Sequence, residues 1–151
     1  IPATWILNRE EKLEAYKSAS ECSNNNELTE LATDWINRYG TLPKPVESLI
    51  ILMRLKLLAK RCGFNKIKIK KPNIVIETKL KKSTFKILKN SLPSSVQSKF
   101  NFEEGDQFSF ITIRGLGVTE VQNQIDQLMY WFGLFVEEIN NFDKELLLKK
   151  E

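Results

Sequence analysis

The stretch RCGFNKIKIKKPNIVIET, Arg61 to Thr78, is where the chain changes its period. Up to Cys62 the apolar residues recur at helical spacing, and Gly63 stops that run. Beyond it Ile67 and Ile69 alternate with Lys66, Lys68 and Lys70, the pattern of a half-buried strand. Pro72-Asn73 then turns the chain into Ile74-Val75-Ile76, so the segment predicts a hairpin. Grouped helices followed by grouped strands place the chain in the α+β class: N-terminal helices, then a mainly antiparallel sheet packed with helices, then a long C-terminal helix.

Upstream, a helix is predicted from about Pro45 to Cys62. Val46, Leu49, Ile50, Ile51, Leu52, Met53, Leu55, Leu57 and Leu58 make it apolar nearly all round, which predicts a place in the middle of a domain. In RYGTLPKPVESL, Gly40 stops the preceding helix and Pro45 suits the first turn of the next. Pro43-Lys44-Pro45 is too short to serve as a PxxP ligand. The preceding helix has the cleanest pattern in the sequence, with Leu28, Leu31, Ala32, Trp35, Ile36 and Tyr39 on one stripe. Glu27, Glu30, Asp34 and Asn37 share its opposite side. Asn8 caps a first helix through about Cys22, with Leu13, Tyr16 and the stem of Lys17 inward.

Downstream, a short helix is predicted from Ser83 to about Leu92 with Phe85, Ile87 and Leu88 inward. Strands follow near Lys99–Phe102 and Gln107–Ile113. Thr119 and Gln122 have the spacing of a capping box opening the last helix. Its stripe is Val121, Ile125, Leu128, Met129, Phe132, Phe135 and Ile139, and the tail Lys144 to Glu151 is expected to fray. A length of 151 residues suits one domain: a lead-in helix over 1–23, a core over 24–143 and the tail. The start at Ile1-Pro2, without methionine or signal pattern, reads as a piece of something longer. No run approaches the roughly 18 apolar residues of a membrane span.

The net charge of +4 conceals a division. Residues 54–90 carry 13 Lys and Arg against one Asp or Glu, whereas the segments on either side are acidic. Cys22 and Cys62 show no CxxC spacing and there is no histidine, which argues against structural zinc and for small buried thiols in a reducing compartment. The missing histidine also removes the commonest general base and any Ser-His-Asp or Cys-His pair. Arg114-Gly115-Leu116-Gly117 lacks a full phosphate-loop pattern and reads as a turn. Glu103-Glu104 and Glu137-Glu138 read as solvated surface. No cofactor is expected in this chain.

Three features leave a choice. Lys66, Lys68, Lys70, Lys81 and Lys82, with Lys79, Lys86 and Lys89, make a solvated face, a nucleic-acid backbone contact or a site for an acidic protein. Glu27, Glu30, Asp34 and Asn37 make a solvated helix face or a docking surface for a basic patch. Trp131 and Phe132 are both core, or one faces outward under a partner.

IPATWI, LEAYK, ELTELATDWINRYGTLPKPVESLI and RLKLLAKRCGFNKI together closely resemble the C-terminal domain of bacterial transcription-repair coupling factors (Mfd). Those proteins show "IP..YI", "RL..Y" and "EL..L..EL.DRFG.LP.PV..LL..ARL...A..LGI.KI". The resemblance is strong over residues 1 to about 70. It implies a regulatory domain without catalysis, attached to an ATP-driven double-stranded DNA translocase whose ATP and Mg sites lie elsewhere. It further implies a cytoplasmic bacterial protein that meets stalled RNA polymerase and recruits UvrA, with this domain folded back on a UvrB-like N-terminal module as a removable lid. The family's acidic contact positions align with Asp34 and Asn37. Asn37 lacks the carboxylate, which leaves one ion pair and one neutral hydrogen bond.

Overall fold

A computed structural model describes residues 1–150, with side chains through Asp143. The expected fraying of residues 144–151 falls outside the fully described part. Among the described residues there are six α-helices and one four-stranded antiparallel sheet, an α+β architecture. None of the described helices is long and apolar enough to cross a membrane. The chain divides into two compact units, Ile1–Leu57 and Leu58–Glu151, and the division falls inside α3.

The first unit holds α1 (Arg9–Glu21), α2 (Asn25–Tyr39) and most of α3 (Lys44–Arg61). Asn8 starts α1 by accepting from the N–H groups of Glu10 and Glu11 at 2.8 and 3.3 Å. At the head of α2, Asn24 accepts from the Glu27 N–H at 2.8 Å, and the Glu27 carboxylate accepts in return from the Ser23 N–H at 2.7 Å. Both exchanges satisfy donors that a helix start leaves unpaired. Gly40 ends α2 at φ 91°, a conformation that favours glycine. Ile6, Ala15, Ala19, Leu28, Trp35, Val46 and Ile50 form the core, with Trp5 set edge-on against Trp35 at 6.0 Å.

Three expectations fail in this unit. Leu13 is 60% exposed and Tyr16 is exposed too, because α1 presents Ala15 and Ala19, four residues apart, as its inner line. The Lys17 side chain is exposed as well. The second is the all-round burial of α3, whose Ile51 and Leu52 face outward. Ile36 also leaves the α2 stripe, lying beyond its edge at about 100° per residue.

The second unit is built on the sheet of β1 (Phe64–Lys70), β2 (Asn73–Thr78), β3 (Phe100–Glu103) and β4 (Ser109–Ile113), in the order β1-β2-β4-β3. Ile67 pairs with Ile76, Ile76 with Ile111 and Ile111 with Phe102, so one face is continuously apolar. Helices α4 (Lys82–Asn90) and α6 (Val121–Lys150) pack on that face, and a short α5 (Ser94–Gln97) joins α4 to β3. Phe85 stacks on Phe102 at 5.1 Å, while Phe100 meets Trp131 edge-on at 5.2 Å. Full burial of each such side chain contributes about 1.5–3 kcal/mol.

Trp131 and Phe132 are both buried, so neither is left for a partner. The expected capping box does not form. Thr119 donates its hydroxyl back to the Leu116 carbonyl at 2.8 Å, ending a short 3-10 turn, and Gln122 donates to Asp126 at 2.9 Å. Val121 is exposed, and Ile87 of α4 faces outward as well.

Thr78 is fully buried, with its hydroxyl donating to the Gly63 carbonyl at 2.7 Å and accepting from the Leu80 N–H at 3.1 Å. It ties the end of β2 to the turn before β1.

Candidate functional site

Leu28 and Trp35 are buried under α2, which fixes the rotation of the helix. At about 100° per residue, Glu27, Glu30, Asp34 and Asn37 then fall within an arc of about 80°. All four are exposed. They do not have equal freedom. Glu27 uses one carboxylate oxygen on both the N–H and the hydroxyl of Ser23, at 2.7 and 3.0 Å. Asp34 lies 3.5 Å from the Arg38 guanidinium, one turn on, with both side chains more than half exposed. Such a pair contributes only about 0.3–0.5 kcal/mol, so it can exchange for another partner.

Arg38 was not among the expected site residues, although its i,i+4 spacing from Asp34 is a readable signal. Its guanidinium also lies 5.5 Å from the centre of the Tyr39 ring. Tyr39 in turn donates to Glu11 at 3.0 Å. Partial burial, then the Glu11 hydrogen bond, hold its hydroxyl above the ordinary phenol value. The α2 face is thus an acidic stripe bordered by one bound arginine. Its exposed carboxylates and amide oxygen can accept hydrogen bonds and pair with cations.

Lys66, Lys68 and Lys70 are exposed on β1, an edge strand. Because Ile67 and Ile69 pair toward the apolar face, the three lysines stand on the opposite face. Lys66 lies across from Glu77, Lys68 from Val75 and Lys70 from Asn73. Lys81 and Lys82 are exposed at the start of α4. Nearby, Lys79 lies 5.4 Å from the Phe108 ring centre, an aromatic neighbour that nearness in sequence does not reveal. Phe64 and Phe85, the rings within the basic segment itself, are both core.

The TRCF domain family matches residues 1–87. The transcription-repair-coupling factor of Escherichia coli (strain K12) is 31% identical over 77 residues, which are 51% of this chain and 7% of that protein. That of Borreliella burgdorferi is 30% identical over 79 residues, 52% of this chain and 7% of the relative. The matched stretch is therefore a small part of those relatives' length. A crystal structure of the C-terminal domain of transcription-repair coupling factor superposes with a TM-score of 0.67 at 18% identity, covering 91% of this chain and 86% of that one. At that identity the likeness is one of fold, and it extends over the part beyond residue 87.

Proposed function

This chain belongs to the TRCF domain family, and from that premise we propose that it is a non-catalytic, autoinhibitory module of a transcription-repair coupling factor. In this reading it folds back on a UvrB-like N-terminal module and masks the surface that binds UvrA. Engagement of stalled RNA polymerase in the bacterial cytoplasm releases it. The parent protein is then an ATP-dependent DNA translocase, with ATP and Mg2+ handled by other segments.

One observation carries the reading. The α2 face presents Glu30, Asp34 and Asn37 side by side on a helix whose rotation is fixed by Leu28 and Trp35. A lid must hold and release. Exposed ion pairs contribute about 0.2–1 kcal/mol each, so several close it without locking it. Asp34 leaves Arg38 for the partner's cation, and Asn37 adds a neutral hydrogen bond. Full-length protein carrying Asp34→Lys and Asn37→Lys is expected to bind UvrA several-fold more tightly than wild type in a titration. Unchanged affinity would remove this face as the latch.

A second reading is favoured by the exposure of Lys66, Lys68, Lys70, Lys81 and Lys82, for which no ion pair occurs among the described residues. It makes the chain a nucleic-acid accessory domain. Removing one lysine that neutralises a phosphate should reduce the slope of log affinity against log salt by about 0.9 on duplex DNA. Measured on this chain, wild type against the Lys66, Lys68, Lys70 triple Gln variant, the reading requires a slope difference of about 3. Equal slopes would end it.

A further inference from the structure

Beside the first turns of α6 lies a cavity of about 320 Å3 whose lining includes Lys99, Arg114, Leu116, Asn123, Gln127 and Trp131. We propose that this cavity binds an organic phosphate monoester, a nucleotide in form, either free or as the phosphorylated end of a nucleic-acid strand. The proposal rests on neither reading above.

The first observation is a lining with two cations and no carboxylate. Phe100 pairs with Ile113, and the ladder runs one step further, where the Arg114 N–H donates to the Lys99 carbonyl at 2.9 Å. Lys99 and Arg114, in the turns just beyond the ends of β3 and β4, are therefore backbone neighbours, and both carry exposed cationic side chains. No carboxylate lines the cavity, and neither cation is ion-paired among the described residues. An anion entering the cavity would meet two cationic side chains and no carboxylate.

The second is that the arginine is held in place. One Arg114 nitrogen donates to the Ser98 carbonyl at 2.7 Å, which fixes the guanidinium without neutralising it. The loop beyond is pinned by the Gly115 N–H on the Asn73 side chain at 3.2 Å and the Gly117 N–H on the Pro72 carbonyl at 3.0 Å. A Cβ on Gly117 would come within 2.5 Å of the Asn73 carbonyl oxygen, so the loop needs glycine to lie this close.

The third is the contribution of α6 to the lining. Asn123 and Gln127 are one turn apart on α6, and neither side-chain amide has a hydrogen bond among the described residues. Guanidinium, ammonium and two amide NH2 groups offer more donors than the two oxygens of a carboxylate use. The three terminal oxygens of a phosphate monoester suit them better. A volume of about 320 Å3 also leaves room for a carbon body over Leu116, within the range of small-ligand sites.

Calorimetric titration of this 151-residue chain tests it, using a nucleoside monophosphate, the parent nucleoside, inorganic phosphate, and a short single strand with and without a 5′-phosphate. The monophosphate is expected to bind at least tenfold more tightly than the nucleoside and than inorganic phosphate. Lys99→Gln and the Asn123→Leu, Gln127→Leu pair should each weaken it at least fivefold with unchanged thermal midpoint. Arg114→Gln is a poorer probe because Arg114 also holds Ser98. A 5′-phosphorylated strand that binds more tightly than the free monophosphate assigns the strand end as the ligand; the reverse order assigns the free nucleotide. Absence of binding at millimolar monophosphate, full affinity in the variants, or equal binding of an oligoglutamate peptide would each overturn the proposal.

Discussion

Cys62 shows how burial changes one group. Its thiol is 1% exposed and donates to the Phe132 carbonyl at 3.6 Å. Burial, against a smaller opposing pull from Arg61, pushes it from 9.0 up to about 12. Below pH 9 the thiol is protonated whether the chain is folded or not, and the stability it brings is fully present. Between pH 9 and about 12 only the unfolded thiol ionises, so that stability is progressively lost. Urea unfolding of wild type and Cys62→Ala at pH 8 and pH 10 should show the gap between them narrowing by roughly 1 kcal/mol. The buried nature of Cys62 was readable from an apolar helix end, whereas Cys22 is only half-buried. Thr78 was not readable. A threonine ending an alternating strand looks like surface, and only the turn at Gly63 gives its hydroxyl two buried partners.

Among the elements, α2 was the most legible, because large apolar residues at helical spacing admit one rotation and Gly40 one end. Its head adds a prediction. The Asn24 side chain accepts from the Glu27 N–H while the Glu27 carboxylate accepts from the Ser23 N–H, so Asn24→Ala should cost about 1 kcal/mol in thermal or urea unfolding. Asn24→Gly should cost only a few tenths of a kcal/mol. Helix α1 was misleading for the opposite reason. Its buried line is made of Ala15 and Ala19, which carry little pattern, while the conspicuous Leu13 and Tyr16 lie outside. The Thr119–Gln122 spacing failed because a 3-10 turn claimed the threonine before α6 began. The acidic face of α2 followed directly from its stripe. The nearness of Lys99 and Arg114 did not, since they are 15 positions apart and only the backbone hydrogen bond just beyond the β3–β4 ladder brings them together.

For the whole molecule, the α+β class was visible in the change of period after Gly63, and the motif-bearing half was visible in its residues. The later half was legible only as an order of elements, because alternating isoleucines and phenylalanines on strands satisfy many sequences equally well. What each half protects differs. In the first, Trp35 and its neighbours hold a helical core; in the second, α4 and α6 cover one face of the sheet. The sheet leaves β1 as an outer strand with Ile69 53% exposed between two lysines. Unpaired N–H and C=O groups beside an exposed isoleucine are a template on which a second copy could add a strand. Lys66, Lys68 and Lys70 set cation against cation when two such edges approach, so the charge that could recruit a ligand also keeps concentrated solutions of the chain dispersed. Replacing all three by Thr should raise light scattering and thioflavin fluorescence on standing at neutral pH, and high salt should partly reproduce the effect in the wild type by screening the same repulsion.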